Sequence, residues 1–432
     1  MPHDLPPLDD RRSNVPSEFR DLLFDINHPR LADARSRSVR GYSDALEENP
    51  MPRDLRAYWR SLAKAPFHGL TCDGTCEPGL FSLADEGAPA EQMIAAARRL
   101  LDVVDPDQKQ RLCHSITSPA WRLWSNPEFL WNDNGLRLDE CSDAVRTAAL
   151  AVVAASLSAN GYEKARGCMK TNAFLGELTQ LQHIMNEFSY NFVLYGEPSG
   201  DQPWGWNLYG HHLALNCFIL DRQMVISPTF MGAEPNLIDE GPDAGLKMFV
   251  AEEANGLALM RSLGPILRSK AQILPAMEGA GVPAGRFHPA DGFHLGGAFQ
   301  DNRIVAPEGI CAAHLDHSQQ RRLVDLMATF VEYLPSAPLE ARVSQFERHL
   351  DRTYWSWIGG YGDDDPFYYR IQSPVAMMEF DHHLGIWLTN TTPAKCHIHT
   401  VVRTPNGNDY GVDLLRQHLN EIHVGPKGFN IE

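Results

Sequence analysis

Hydrophobic and polar residues follow two different periods along the chain. Between residues 89 and 185 apolar positions recur every three to four residues, as on one face of a helix, and helix-capping residues precede these runs. The pattern predicts a helical layer with helices at Ala90 to Leu101, Asp105 to His114 and Ser142 to Asn160-Gly161.

From about residue 188 onward, short runs of β-branched and aromatic residues alternate with turn residues. They predict strands at Tyr190 to Tyr195, His212 to Leu220, Met224 to Met231, Phe367 to Gln372, Val375 to Phe380, Gly385 to Thr389 and His397 to Arg403. Helical patterns return at Ala244 to Lys270, His317 to Leu334, Pro338 to Tyr354 and after Asp409. Hairpin-like connections favour antiparallel pairing. We therefore predict an α+β fold in which a helical N-terminal layer packs on a mainly antiparallel sheet with interspersed helices.

The same pattern divides the chain into three segments. Residues 1–50 are rich in Pro, Arg and Asp and predict an arm, residues 51–187 a helical region, and residues 188–432 a β-rich region that carries the site. The last two segments can equally form one integrated domain. Because an arm of this kind can wrap its own subunit or a neighbouring one, we expect a homo-oligomer, with a homodimer as the simplest form.

The charge balance excludes two classes of partner. Lys plus Arg number 38 against 55 for Asp plus Glu, so the formal net charge of −17 opposes binding to nucleic acid and to anionic membranes.

The N-terminus lacks a secretory pattern, and the most apolar helical stretch, Ala148 to Leu157, is too short to cross a bilayer. These features predict a cytoplasmic protein that acts on a small molecule.

Two adjacent histidines, His211 and His212, lie in an apolar stretch that begins at Trp204. If both belonged to the strand that runs to Leu220, their side chains would point to opposite faces. His212 shares its face with Asn216 and is the preferred site residue; the other possibility is a strand start loosened by Gly210, in which both histidines contribute. The alternative is a histidine pair bonded only to backbone and sheet neighbours.

His397 and His399 are spaced so that both imidazoles project from one face of a strand, where two ligands can bind one metal ion. Arg403 continues that face and is predicted to hold a substrate carboxylate. The alternative interpretation is an exposed sheet face that happens to carry two histidines.

Several other polar side chains are candidates for the same site. Glu379 interrupts an apolar strand face and is predicted to be a ligand or general base, and Tyr368 and Arg370 share one face of the strand before it. A helical wheel places Glu253 at the centre of an apolar arc, which predicts a buried ion-pair partner or a site residue. His382 and His383 are predicted to lie in a hairpin turn, outside the site.

The order of the motifs indicates a family. "FVLYGEPSGDQPWGWNLYGHHLALN", "PTFMGAEPN", "YYRIQSP", "MEFD" and "HIHTVVRTPNGNDYGVDLLRQH" together resemble a large family of unknown function from bacteria and fungi over roughly residues 50–420. The resemblance implies no activity. It marks, residue by residue, Trp204, Trp206, His211, His212, Tyr368, Arg370, Glu379, His397, His399, Arg403 and Asp409. Ser373 stands where the family pattern has Gly.

These candidates lead to one main hypothesis and two alternatives. The main hypothesis is a metal-dependent hydrolase for a small polar or anionic substrate, in which His397 and His399 with His211 or His212 hold a divalent ion, zinc being favoured over iron or manganese. Glu253 or Glu379 would serve as base. The first alternative is a non-haem iron oxygenase or lyase. The second is a non-catalytic protein that binds a small ligand in a pocket lined by Trp204, Trp206, Tyr368 and Arg403.

Overall fold

One mixed sheet, mostly antiparallel, organises the fold. The computed structural model describes residues 18–279, 281–288 and 291–422, and in these residues the sheet has twelve strands. They are β1 (Cys113–His114), β2 (Leu136–Arg137), β3 (Tyr190–Gly196), β4 (Trp204–Gly210), β5 (Leu213–Leu220), β6 (Gln223–Ala233), β7 (Gln272–Leu274), β8 (Ile310–Cys311), β9 (Tyr354–Gly359), β10 (Phe367–Gln372), β11 (Met377–His383) and β12 (Ala394–Arg403).

The strand order is β1-β3-β4-β5-β6-β12-β11-β10-β9-β7, with β2 paired to β3 and β8 to β9. The order brings β12 next to β6 although more than 150 residues separate them, so the two halves of the β-rich region close into one sheet. Only the short edge strands β1 and β7 pair in parallel among the described strands. The predicted α+β class with a mainly antiparallel sheet is confirmed.

Helices of the described residues precede, follow and interrupt the strands. They are α1 (Glu18–Asp21), α2 (Pro29–Arg35), α3 (Val39–Ala45), α4 (Pro50–Ala63), α5 (Ala90–Val103), α6 (Pro106–Leu112), α7 (Asp143–Ser156), α8 (Ala159–Thr179), α9 (Val250–Ser262), α10 (Pro265–Ala271), α11 (His317–Val331), α12 (Ser336–Arg348) and α13 (Val412–Ile422). None of them combines the length and the apolar composition that a bilayer crossing requires.

Two helix predictions were wrong in their bounds. The helix predicted from Ser142 to Asn160-Gly161 is two helices, because the Ser158 hydroxyl accepts the backbone N–H of Gly161 at 2.9 Å and so caps a new helix after an extended Leu157. The helix predicted from Ala244 begins only at Val250 and is interrupted before Pro265.

One strand was missed, and one predicted strand was wrong. Residues Tyr354–Gly359 form β9, although we predicted that a helix would extend to Tyr354. Gly385 to Thr389 is not a strand, because three backbone N–H groups of this segment bind one carboxylate, that of Glu234, instead of a neighbouring strand.

Register places a polar set on one face of the sheet and an aromatic set on the other. Across β10, β11 and β12, Tyr368 pairs with Asp381 and Asp381 with His399, and Arg370 pairs with Glu379. The alternate residues of the same strands, such as Tyr369, pack against α9 and α11. The sheet therefore has a helix-covered face and an opposite face that carries the polar side chains.

The described part of the predicted arm, residues 18–50, packs on its own chain. Arg20 donates to Asp239 at 2.8 Å, Leu23 bridges to Leu388, and the Tyr42 hydroxyl donates to Glu128 at 2.6 Å. Arg30 of α2 and Tyr42 of α3 border the same space as His211 and His212, the loop between β4 and β5. The first seventeen residues of the arm lie outside the described residues.

Candidate metal centre

His211 and His212 form the tight loop between β4 and β5 and do not lie in a strand. β4 ends at Gly210 and β5 begins at Leu213, and His212 has a positive φ of 60°, as tight hairpin loops often require. The alternation that would have put the two rings on opposite faces therefore does not apply. The rings are instead stacked, with centroids 3.9 Å apart.

His397 and His399 project from β12 toward this loop. β12 pairs with β6, which places Gly232 opposite His399. A Cβ atom at Gly232 would lie 2.8 Å from Cδ2 of His399 and 3.0 Å from Cδ2 of His212. The missing side chain at residue 232 thus leaves the space in which the imidazoles from the loop and from β12 meet.

Three imidazole nitrogens converge at this point. Nε2 of His397 lies 3.2 Å from Nε2 of His212 and 2.9 Å from Nε2 of His399, and the ligand atoms of all three lie within 4.8 Å of one another. With zinc–nitrogen bonds of about 2.0–2.1 Å at tetrahedral angles, two ligand nitrogens lie roughly 3.3 Å apart. The spacing therefore suits one metal ion. We call these residues the three-His cluster.

Hydrogen bonds and burial fix the protonation of the cluster. The carbonyl oxygen of Leu384 can only accept, so at 2.7 Å Nδ1 of His397 carries the proton and Nε2 presents its lone pair to the cluster. Burial, followed by the neighbouring imidazoles, lowers the pKa of His212, His397 and His399 well below the ordinary value. Neutral imidazole is the form that binds metal.

Glu234 anchors the segment that orients His397. Its Oε1 accepts the backbone N–H groups of Ile386, Trp387 and Leu388 at 2.8–3.0 Å and lies 3.7 Å from Nδ1 of His397. Burial raises the pKa of Glu234 to about 7 although the three N–H groups lower it. Partners of this kind behind a ligand histidine tune metal affinity. We did not predict a role for Glu234, because its partners are backbone groups more than 150 residues away.

Glu379 lies on the polar face and is fully hydrogen-bonded. Its carboxylate accepts the N–H groups of Leu295 and Gly296 and the hydroxyl of Tyr368, the last at 2.6 Å. Burial acts to raise the pKa of Glu379, but His294, Arg370 and these donors outweigh it and lower the pKa. Because its oxygens are engaged, Glu379 is a support of the site wall rather than a free ligand.

Three polar residues that we did not predict lie beside the cluster. β11 continues to His383, whose ring centroid is 4.6 Å from that of His399, so the predicted turn at His382-His383 was wrong. Asp381 pairs with His399 across the strands, and His294 reaches the same region from the loop that precedes β8. His383 was missed because strand β11 extends three residues past the predicted end at Phe380.

Arg403 forms a buried ion-pair network instead of holding a substrate. Its guanidinium donates to Asp301 at 2.7 Å, to Asp409 at 3.1 Å and to the carbonyls of Gly296 and Gly297. Oδ1 of Asp409 in turn accepts from the Ser227 hydroxyl and from the N–H of Thr404. All four acceptors of the Arg403 guanidinium are protein groups, so the predicted substrate clamp at Arg403 is not supported.

The remaining predicted residues lie elsewhere. Arg370 donates to Glu308 and the Ala306 carbonyl. Glu253 pairs with Lys395 at 2.8 Å on the helix-covered face, near His382. Glu252, not Glu253, is the buried glutamate of α9, because the wheel counted Leu246 and Phe249, which precede the helix.

His211 and the two tryptophans are also placed away from the three Nε2 atoms of the three-His cluster. Nδ1 of His211 lies 2.8 Å from Oδ1 of Asn172, so His211 stacks on His212 but does not join the three-His cluster. The Trp206 indole donates to Ser156 under α7, and Trp204 is fully buried on the same face of β4. They therefore do not line the pocket that we predicted for them.

A cavity of about 130 Å3 reaches two of the three cluster histidines. His212 and His399 form part of its wall, together with His211, and helix α4 and residues 126–129 contribute much of the rest. Its polar lining includes Arg30, Tyr42, Asn126 and Glu128, and its apolar lining Leu46, Met51, Leu55, Trp59, Phe129 and Ile386. A small molecule in this cavity would contact the open side of the cluster.

Replacing Gly232 by alanine should disturb the cluster without removing a ligand. The added Cβ would lie 2.9 Å from the carbonyl oxygen of Ile398 as well as against the rings of His212 and His399. We expect a loss of about 1–3 kcal/mol in the free energy of unfolding and at least a tenfold weaker affinity for zinc, measured by urea titration and competition with a chelator. Gly200→Ala, where no heavy atom lies within 4 Å of the new Cβ, should change neither; equal zinc affinity in both variants would contradict this packing.

The comparisons with known proteins give a family and no activity. A family described as a protein of unknown function, DUF3500, matches residues 86–412, about three quarters of the chain. No curated protein and no solved structure matches the chain. The matched range contains β1 to β12 and therefore the whole three-His cluster. The chain belongs to the DUF3500 family of proteins of unknown function.

Proposed function

We propose that this protein is a metal-dependent enzyme, a hydrolase that uses a metal-activated water on a small polar or anionic substrate. The observation that carries the proposal is the convergence of three buried, neutral imidazole nitrogens, Nε2 of His212, His397 and His399, at zinc-ligand spacing. Three protein ligands leave one tetrahedral position for water or substrate. A bound divalent ion there lowers the pKa of its water to about 7.

The cavity beside the cluster supports a small substrate. Leu55, Trp59 and Phe129 give it an apolar wall, which excludes water around a reacting group. Arg30, which also lines the cavity, donates to the Ile386 carbonyl, and its guanidinium carbon lies 4.4 Å from the centre of the Trp387 ring. Its remaining donors suit an anionic group of the substrate, the role first predicted for Arg403.

Glu128 is the carboxylate that we propose as the general base. It lines the same cavity as His212 and His399 and accepts the Tyr42 hydroxyl at 2.6 Å, which fixes its orientation. Glu253 and Glu379, the residues first predicted for this role, do not line the cavity. A positioned base typically contributes a factor of about 10² to 10⁴ in rate.

The alternatives receive less support from the described residues. An iron oxygenase or lyase site of the two-histidine, one-carboxylate type needs a carboxylate among the ligands that face the substrate, and the three-His cluster, whose His212 and His399 line the cavity, contains none. A non-catalytic binding pocket would not require three imidazole lone pairs beside it. Both alternatives remain outcomes of the experiment below.

The test measures hydrolysis of 4-nitrophenyl acetate, 4-nitroacetanilide and 4-nitrophenyl phosphate by chelated and zinc-loaded protein. We expect zinc to restore hydrolysis of at least one of them, His399→Ala to stay at background, and Glu128→Gln to lower kcat at least tenfold with unchanged zinc content. His382→Gln, whose ring lies on the opposite face of the sheet, is the matched control. Rates that are indifferent to chelation would overturn the proposal, and iron content with oxygen uptake would favour the oxygenase.

A further inference from the structure

We propose that a second divalent cation binds beside the three-His cluster, held by His294, His383 and Asp381. None of these three residues was predicted as a ligand, and we call them the second cluster. The inference extends the proposed metal enzyme to a two-ion centre and rests on that proposal. It is carried by buried polar atoms that lack partners and by their position on the polar face.

Four atoms of the second cluster have no hydrogen-bond partner among the described residues. They are Nδ1 and Nε2 of His294, Nε2 of His383 and Oδ1 of Asp381. All three side chains are at most 3% exposed. A buried polar atom without a partner destabilises the folded chain, so such a group of atoms indicates a ligand that completes it.

The hydrogen bonds that do exist show what kind of ligand is needed. Nδ1 of His383 lies 3.0 Å from the Leu384 carbonyl and must donate to it, so Nε2 of His383 is a bare lone pair. Asp381 Oδ2 accepts the N–H of Phe293, which leaves Oδ1 as a free acceptor. A neutral His294 adds one further lone pair. Acceptors of this kind bind a cation.

The geometry allows these acceptors to share an ion. Nε2 of His294 lies 3.9 Å from Oδ2 of Asp381, so an ion at about 2.1 Å from both fits between them. A Cβ atom at Gly292 would lie 2.2 Å from Oδ2 of Asp381 and 3.1 Å from Nε2 of His383, which shows that a glycine is needed where these two side chains meet. The His383 ring also contacts His399, so the two clusters adjoin.

Two imidazoles and a carboxylate suit zinc, iron or manganese. The second cluster is more open than the first, because its ligand atoms do not all lie within 4.8 Å of one another. Arg286 also lies near, with its guanidinium carbon 5.1 Å from the centre of the Tyr368 ring, and its charge opposes a cation. The second ion therefore binds more weakly than the first and keeps more water.

The experiment is a zinc titration of chelator-stripped full-length protein by equilibrium dialysis, with elemental analysis of the protein compartment. The wild type should saturate at two ions per chain, one tight and one at least tenfold weaker. His294→Ala and Asp381→Asn should retain the tight ion and lose the weaker one. His382→Gln, the adjacent histidine on the opposite face, should bind two.

Folding can be checked separately from binding. Because His294 makes no hydrogen bond to the described residues, metal-free His294→Ala should lose only the packing of one buried ring and should still unfold in a single cooperative transition. Saturation of the wild type at one ion that His399→Ala removes would overturn the second site and leave the three-His centre intact. Retention of two ions by both His294→Ala and Asp381→Asn would also overturn it. A wild type that binds no zinc would contradict both proposals.

Discussion

Replacing His397 by alanine should abolish the rise in melting temperature that one equivalent of zinc gives to the wild-type chain. His397 is the central member of the three-His cluster, since its Nε2 lies within 3.2 Å of both other ligand nitrogens. An ion present at about a thousand times its Kd stabilises the folded chain by about 4 kcal/mol. With only two imidazoles left, zinc binds too weakly to give this stabilisation. Differential scanning calorimetry with and without zinc measures the effect.

The metal-free state provides the internal control. After the change the Leu384 carbonyl still accepts from Nδ1 of His383, so this carbonyl is not left without a donor. The chelated His397→Ala variant should therefore remain folded. His382→Gln removes a buried histidine whose Nδ1 accepts the Phe367 N–H on the other face of the sheet, and it should keep the full zinc effect. If His397→Ala were stabilised by zinc as much as His382→Gln, the cluster would not be the binding site.

The second large effect is expected at Arg403, where methionine should lower the free energy of unfolding by about 3–5 kcal/mol. The guanidinium neutralises Asp301 and Asp409, which are almost completely buried, and donates to two loop carbonyls. Its removal leaves two buried carboxylates with too little positive charge. Urea unfolding at pH 7 measures the loss.

The matched control for Arg403 is Arg370, which is equally buried. Its charged partner, Glu308, is 37% exposed, so water can solvate that carboxylate after Arg370→Met. We expect a clearly smaller loss of stability in that variant. A variant Arg403→Met as stable as the wild type but unable to bind a substrate anion would restore the role that the sequence suggested for this residue.

Several strands of the sheet could be predicted from the sequence because they carry a local signal. Phe367 to Gln372 was predicted with the observed bounds, and the two-residue period of β12 correctly put His397 and His399 on one face. The partner of β12 could not be predicted in the same way. Its pairing with β6 depends on contacts across the whole domain, which no local pattern encodes.

The errors at the site have specific physical causes. The positive φ of His212, rare for a residue with a side chain, turned a predicted strand start into a loop. His294 lies in a loop without periodicity, and Asp301, which engages Arg403, lies about a hundred residues before it. The role of a polar residue whose partners lie far along the chain cannot be assigned from sequence spacing alone. The shared face of His397 and His399 could be assigned, because it follows from the two-residue period of a single strand.

X-ray absorption spectroscopy at the zinc edge, on protein loaded with one equivalent of zinc, tests the central claim most directly. The account predicts three imidazole nitrogens at about 2.0–2.1 Å and one further light ligand, and fewer imidazoles in His397→Ala. A zinc ion that dialyses away from the wild-type chain, or a first shell with the same number of imidazoles in the wild type and in His397→Ala, would contradict it.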